Sequence, residues 1–86
     1  MLTRFQCHVA LELSRARAKF GPLHTAHEGY AVILEEVDEL WEMVKQKQVH
    51  RSPAAMLKEL VQIAAMCERM AEDLSLMNCD EGKGVR

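Results

Sequence analysis

The chain has 86 residues, which is enough for one domain and too few for a separate regulatory module. Apolar residues make up 49% of it, but the aromatic ones are only one Trp, one Tyr and two Phe, so a core would consist of Leu, Val, Ile, Met and Ala, which favours helices. Eleven basic and thirteen acidic side chains give a net charge of −2, which argues against nucleic acid as a partner because phosphate binding needs a basic face.

The three cysteines, Cys7, Cys67 and Cys79, show no CxxC spacing. The sequence also contains no signal peptide and no apolar run long enough to span a bilayer. These features predict a cytoplasmic protein with reduced thiols and no membrane partner. Cys67 falls on an apolar helical stripe and is predicted to be a core residue.

The first predicted helix covers about residues 4–20. It begins with Thr3 to Gln6, a Thr-x-x-Gln pattern typical of a capping box. Gly21 and Pro22 are predicted to end it, with Gly21 as a left-handed cap. Its apolar positions recur at helical spacing and are Leu2, Phe5, Val9, Leu13, Ala16 and Phe20.

The second predicted helix covers about residues 26–48. Thr25 to Glu28 forms a second capping box, and the polar and basic residues 45–48 suit a helix C-terminus. Its apolar stripe consists of Tyr30, Ile33, Leu34, Val37, Leu40, Trp41 and Val44. Trp41 is expected in the core or in a subunit interface.

The third predicted helix covers about residues 53–77, with Ser52 as N-cap and Pro53 as first helical residue. Its stripe consists of Met56, Leu57, Leu60, Ile63, Ala64, Cys67, Met70, Ala71 and Leu74. The polar tail, residues 78–86, is predicted to be flexible. Since no strand pattern occurs, the predicted fold is one all-α domain over residues 1–77, a three-helix chain that forms a helical bundle.

The second helix is unusually acidic. Between Phe20 and Val44 the sequence has six acids and no Lys or Arg. The acids are Glu28, Glu35, Glu36, Asp38, Glu39 and Glu42. Two like-charge pairs at i,i+4 each cost about 0.2–0.5 kcal/mol in an isolated helix. Positive charge is therefore expected from outside this helix.

Helical phase brings some of these acids together with the third helix. With Val37 as the middle of the second stripe, Glu36 lies about 100° and Glu39 about 160° to the side. A shift of 23 residues gives Glu59 and Gln62 the same angles on the third helix. If the helices pack antiparallel, these side chains face one another across a cleft. Carboxylate oxygens suit Mg²⁺ or Mn²⁺, so the spacing indicates a divalent-cation site, with a solvated acidic surface as the alternative.

Two motifs carry a resemblance to a known family. Glu35-Glu36-Val37-Asp38-Glu39 reads EExxE, and Glu59-Leu60-Val61-Gln62 stands about twenty residues later, where the MazG-like superfamily has ExxD. Residues 24 to 75 resemble this superfamily, in particular its small phage and mobile-element members. The resemblance implies an all-α fold, a homodimer or homotetramer, and Mg²⁺-dependent hydrolysis of a nucleoside triphosphate to the monophosphate and pyrophosphate.

The resemblance also assigns roles to residues. Glu36, Glu39 and Glu59 look like metal ligands, and Glu35 looks like a catalytic residue that supports or orients water. Gln62 stands where the motif has Asp, as a fourth ligand. Its neutral carboxamide reduces the charge of the ligand set, which weakens cation binding and the expected activity.

Lys58 and Arg51 are among the bases nearest to the acids in the sequence. They are predicted to hold a substrate phosphate, with solvation of a turn as the alternative. Two other functions are compatible with the same sequence: a nucleotide-binding protein without catalysis, and a helical interaction protein whose acids only keep it in solution. A chain this short buries little surface, so a homodimer or a dimer of dimers is expected.

Overall fold

The computed structural model describes residues 1–78 and contains three α-helices. They are α1 (Arg4–Lys19), α2 (Ala26–Val44) and α3 (Pro53–Asp73), and single 3-10 turns cover Gln48–His50 and Leu76–Asn78. No strand occurs among these 78 residues, which confirms the predicted all-α fold. No helix of this part is long and apolar enough to cross a membrane. The predicted tail, residues 78–86, lies outside the described residues except for Asn78.

Each helix begins where the sequence predicts. The Thr3 hydroxyl accepts the Gln6 N–H, and the Gln6 side chain accepts the Thr3 N–H in return. Thr25 and Glu28 form the same capping box at the start of α2. Ser52 caps α3. Local hydrogen bonds to otherwise unpaired N–H groups therefore set the three helix starts.

The end of α1 differs from the prediction. The helix ends at Lys19 because Phe20 adopts an extended backbone, with φ −120° and ψ 151°, while its N–H still donates to the Ala16 carbonyl. The φ of Gly21 lies outside the left-handed region, so the predicted left-handed glycine cap is wrong. The extended Phe20 ends the helix before a cap of that kind can form.

The other two helices end about four residues before their predicted ends. α2 stops at Val44, where the Arg51 guanidinium donates to the carbonyls of Val44 (2.7 and 3.1 Å) and Gln46 (3.1 Å). This side chain satisfies acceptors that the helix end leaves free. α3 stops at Asp73, since Ser75 turns to a left-handed φ of 58°.

α3 is the central helix, and both α1 and α2 pack against it. Gly29 of α2 lies against Met70 of α3, and Glu36 lies against Gln62, so α2 and α3 run antiparallel. The buried core between α1 and α3 consists of Val9, Leu13, Ala16, Val61, Ala65 and Met66. Val32 and Ile33 of α2 extend this core.

Asp73 ties the end of α3 to the loop between α1 and α2. Its carboxylate accepts the Leu23 N–H at 2.8 Å and the Arg17 guanidinium at 2.7 Å. The Leu23 hydrogen bond, with the help of Arg17, holds the pKa of Asp73 below its usual range although burial opposes this. These contacts hold the backbone at Leu23 in place just before α2 begins.

The apolar stripes of α2 and α3 are not the buried faces that the sequence predicts. Val37 is 40% exposed, Trp41 56% and Leu60 45%, and Cys67 is exposed too. The prediction that Cys67 is a core residue is therefore wrong. Of the two places predicted for Trp41, the structure excludes the core of the single chain and leaves the subunit interface as a prediction. α2 and α3 contact each other beside the apolar stripes, on the side where Glu36 lies. Gly29 has no side chain and therefore lets Met70 of α3 approach closely on that side.

α1 also buries less of its stripe than predicted. Its middle positions form the core, but Leu2 and Phe20 at its two ends are more than half exposed and Phe5 is partly exposed. α3 is the neighbour that covers α1, and it contacts mainly the middle turns.

Candidate metal centre

Three of the predicted metal ligands lie together where α2 crosses α3. Glu36, Glu39 and Glu59 each offer a carboxylate oxygen, and these oxygens all lie within 4.8 Å of one another. Glu59 comes from α3 and is only 6% exposed, whereas Glu36 is half-buried and Glu39 is exposed. The three side chains form what we call the carboxylate cluster, which opens to solvent on the side of Glu39.

Gln62 lies directly against the carboxylate cluster. Its amide is best satisfied with the nitrogen toward the acids, where it donates to Glu36 at 2.9 Å and to the two oxygens of Glu59 at 3.1 and 3.3 Å. The structure thus brings all four predicted ligands together. Turning the amide over would present its oxygen to a cation instead.

The carboxylate cluster carries an unfavourable charge. Burial, the hydrogen bond to Glu59 and the neighbouring Glu39 raise the pKa of Glu36 to about 7. Burial is also the main reason that the pKa of Glu59 is raised. Adjacent acids that hold a proton at neutral pH are a frequent property of functional sites, because a cation can replace that proton.

The donor set fits a single divalent cation. Oxygens on opposite sides of an octahedral Mg²⁺ lie about 4 Å apart, and those around Ca²⁺ about 5 Å. The spread of the carboxylate cluster, within 4.8 Å, needs only a small adjustment to match either ion. Hard oxygen ligands of this kind select Mg²⁺, Mn²⁺ or Ca²⁺.

The other predicted site residues take different places. Glu35 is exposed and lines the same cavity as Glu36 and Gln62. Lys58 lies near Glu59, and its charge opposes the rise in the pKa of that carboxyl. Arg51 is at the end of α2, where its guanidinium donates to backbone carbonyls.

Sequence reasoning missed the basic side chains that α1 and α3 place beside the carboxylate cluster. Arg15 of α1 pairs with Glu12 through two hydrogen bonds, at 3.0 and 2.6 Å, and both residues line the cavity next to Glu36. Arg69 lies on α3 two turns after Gln62 and lines the same cavity. The spacing of Arg69 from Gln62 was a usable signal, since residues seven apart share a helix face. Nothing local to α1 shows that Arg15 points at α2.

Two cavities adjoin Gln62. The first, of about 370 Å³, lies between α1 and α3, and its walls include His8, Leu57 and Lys58. The second, of about 300 Å³, lies between all three helices, and we call it the central cavity. Arg15 and Glu12 line both.

This geometry defines a class of site: a carboxylate cluster that could hold a divalent cation, between two antiparallel helices and beside a cavity with basic side chains. Comparisons with known proteins add no relative, since no protein family, no curated protein and no solved structure matches the chain. The resemblance of its two motifs to the MazG-like superfamily stays a prediction.

Proposed function

We propose that the chain is a divalent-cation-dependent nucleoside triphosphate pyrophosphohydrolase of the MazG-like kind, which yields the monophosphate and pyrophosphate. The observation that carries this proposal is the carboxylate cluster, in which Glu36, Glu39 and Glu59 converge from two helices. The proposed nucleotide substrate also favours the cytoplasmic location that the cysteines predict.

The proposed roles follow from position. Mg²⁺ or Mn²⁺, when bound by the carboxylate cluster, would neutralise phosphate charge and make water a nucleophile at neutral pH. Glu35 stands beside the cluster and can accept a proton from an attacking water. Lys58, next to Glu59, can contact a substrate phosphate. A phosphate at Arg51 would have to compete with the carbonyls that this guanidinium already contacts.

Gln62 favours a second candidate, a protein that binds a nucleotide without cleaving it. A neutral amide replaces the motif's fourth carboxylate, and its nitrogen bridges Glu36 and Glu59. Cation affinity generally falls with the charge of the ligand set. The two candidates therefore differ in turnover and share the same binding site.

Pyrophosphate release from a panel of ribo- and deoxyribonucleoside triphosphates, with Mg²⁺ or Mn²⁺, tests the first candidate. Glu59→Gln should lower turnover by about 100-fold, the upper end of the effect of losing a metal-site partner. Glu42→Gln is the matched control, because Glu42 lies on the exposed part of α2 and pairs with Lys45 at 2.8 Å. If Glu59→Gln leaves turnover unchanged, this result contradicts the proposed site.

Gln62→Asp separates the two candidates. In an active enzyme it should raise Mn²⁺ affinity and turnover together. Cation and nucleotide binding without pyrophosphate release, in the wild type and in this variant, supports the binding protein. A chain whose melting temperature does not respond to Mg²⁺ or Mn²⁺ has no such site, as expected of a helical interaction protein without ligand.

We also propose that two copies associate through the exposed apolar faces of α2 and α3. On α2, Tyr30, Leu34, Val37 and Trp41 are exposed at alternating spacings of four and three, as in the seam of a coiled coil. On α3, Leu57 and Leu60 are exposed in the same way. Several large apolar side chains exposed along one helix face favour an interaction surface there.

A further inference from the structure

The central cavity has a charged wall that the carboxylate cluster does not use. Arg69 of α3 and Arg15 of α1 line it together with Glu36, Glu35 and Gln62. The cavity therefore adjoins the carboxylate cluster through Glu36 and Gln62, and its wall also carries two guanidinium groups. A ligand in the cavity could contact both.

Arg69 is a buried cation with too few acceptors. It is 5% exposed, and its Nη2 donates to the Gly21 carbonyl at 2.6 Å. Its Nη1 reaches only the thioether of Met66, at 3.6 Å, and Met66 also lines the cavity. Its Nε has no hydrogen-bond acceptor among the described residues, and the Asp73 carboxylate is 3.8 Å away. Because a guanidinium carries five N–H donors and buried donors are normally paired, Arg69 has spare capacity for an anion.

Arg15 offers a second donor at the mouth of the cavity. Its Nε and Nη2 bind Glu12, which leaves Nη1 outside that pair. The side chain is about half exposed, so it can turn toward a ligand without loss of core packing. Planar guanidinium groups are well suited to phosphate oxygens.

Charge makes anion binding conditional on a cation. Glu12, Glu35 and Glu36 outnumber the two arginines on the cavity wall, so the wall has a formal charge of −1 when all are ionised. A divalent cation in the carboxylate cluster would add two positive charges beside this wall and make it more favourable for an anion. Anion binding and cation binding should therefore be coupled.

We propose that the central cavity is a subsite for a phosphate-type oxyanion, in which Arg69 and Arg15 donate to oxygens of an anion that would also contact the bound cation. This inference rests on the proposed function, because it deepens the same site: it assigns the polyphosphate part of the substrate, or the pyrophosphate product, to the central cavity. The anion enters only with the divalent cation bound.

Pyrophosphate in excess MgCl₂, titrated into the full chain by calorimetry, tests the subsite. Arg69→Met keeps the apolar stem and should weaken pyrophosphate binding by about tenfold or more, in the range expected for a lost hydrogen bond to a charged group. Arg15→Met should weaken it in the same direction. Arg4→Met is the control, because Arg4 lies three turns before Arg15 on α1 and so well away from the cavity.

A merely structural Arg69 gives a different result. In that case Arg69→Met lowers the melting temperature, through the lost contacts with Gly21 and Phe20, while the folded fraction binds pyrophosphate as the wild type does. Unchanged pyrophosphate affinity in folded Arg69→Met overturns the subsite. If that variant does not fold, Arg15→Met decides alone, and unchanged affinity there overturns it equally.

Mn²⁺ titration without pyrophosphate keeps this inference separate from the proposed function. Wild-type and Arg69→Met chains should bind Mn²⁺ with equal or similar affinity, since Arg69 is not in the carboxylate cluster. Loss of Mn²⁺ binding in the wild type refutes the proposed function. If Mn²⁺ binding is intact but neither Arg69→Met nor Arg15→Met changes the pyrophosphate affinity, only the subsite is refuted.

Discussion

Glu36 is a residue whose negative charge is unfavourable in the folded chain. Its pKa rises to about 7 because it is buried and because it faces Glu59 and Glu39, whereas an unfolded chain would ionise it near 4.5. The folded state therefore binds more protons than the unfolded state between these two values. By linkage, the contribution of Glu36 to stability falls as pH rises through that window and stays low above it.

Glu36→Gln should remove this loss of stability. Its carboxamide resembles the protonated carboxyl, so the variant should match the wild type near pH 5 and exceed it in free energy of unfolding at pH 8, in EDTA. Urea denaturation at both pH values, followed by circular dichroism, measures this difference. Glu42→Gln, outside the carboxylate cluster, should keep the wild-type pH dependence. An equal loss of stability from pH 5 to 8 in wild type and Glu36→Gln would contradict the assignment.

With a divalent cation present at pH 8, the wild type should have the higher free energy of unfolding and Glu36→Gln the lower one. Ligand carboxylates must lose their protons, so binding to the wild type releases a proton and should stabilise it most at pH 8. Glu36→Gln lacks one charged ligand and should gain less from Mn²⁺. Acids with a lowered pKa, such as Asp73, lose their stabilising effect only on the acid side of this window and do not contribute within it.

At the scale of helices, the contact between Gly29 and Met70 decides how α2 meets α3. A Cβ on Gly29 would lie 2.5 Å from Sδ and 2.6 Å from Cγ of Met70. The Cγ atom is too close to the backbone to move aside cheaply. Gly29 is also in the interior of a helix, where glycine costs about 1 kcal/mol relative to alanine.

Gly29→Ala should therefore act in opposite directions in two backgrounds. In the wild type it should lower the free energy of unfolding by about 1 kcal/mol, because overpacking outweighs helix propensity. In a Met70→Ala background, which removes the clash, it should raise it by about 0.5–1 kcal/mol. Chemical denaturation of the four proteins in this double-mutant cycle measures the coupling. Additive effects would show that the two helices do not approach closely here.

The same contact explains which parts of the fold could be predicted from sequence. Helix starts depend on residues three apart, as in Thr3 and Gln6, so they are predicted correctly. The face of α2 that packs against α3 is set by the contact of Gly29 with Met70. The pattern of apolar residues within one helix does not predict such a contact between two helices. For this reason the sequence pattern wrongly predicts Val37 as the middle of the buried face.

The convergence of Glu36, Glu39 and Glu59 could nevertheless be predicted from the sequence. Glu36 and Glu59 each precede an exposed apolar residue of their own helix, so both lie on the same side of the antiparallel pair. The prediction that Glu36 and Glu59 lie on the same side depends only on positions within each helix. It therefore does not require Val37 to be buried. Arg69 could have been placed this way, from its spacing to Gln62 on α3. Arg15 could not, because its position beside the cluster depends on how α1 packs against the other two helices.

At the scale of the whole molecule, the core of one chain is small for three helices of this length. Among the described residues no large side chain is fully buried, while Tyr30, Trp41 and Leu57 are about half exposed or more. A second copy that covers the exposed stripe of α2 would supply the missing core. With such a second copy, the wrong prediction that Cys67 is a core residue has a physical reason, because an apolar stripe can be wide enough for two partners and not all of it packs within one chain.

Trp41→Lys should break this association. Light scattering coupled to size-exclusion chromatography should give the wild type at least twice the 9.8 kDa chain mass and the variant a mass nearer to one chain. A buried lysine without a partner is costly in an apolar interface, whereas on the surface of a single chain it costs little. Val49→Lys is the control, because Val49 is exposed in a 3-10 turn away from the α2 stripe, and it should leave the mass unchanged. A wild type that elutes as a stable single chain would show that the exposed stripe has another occupant and that the small core is sufficient on its own.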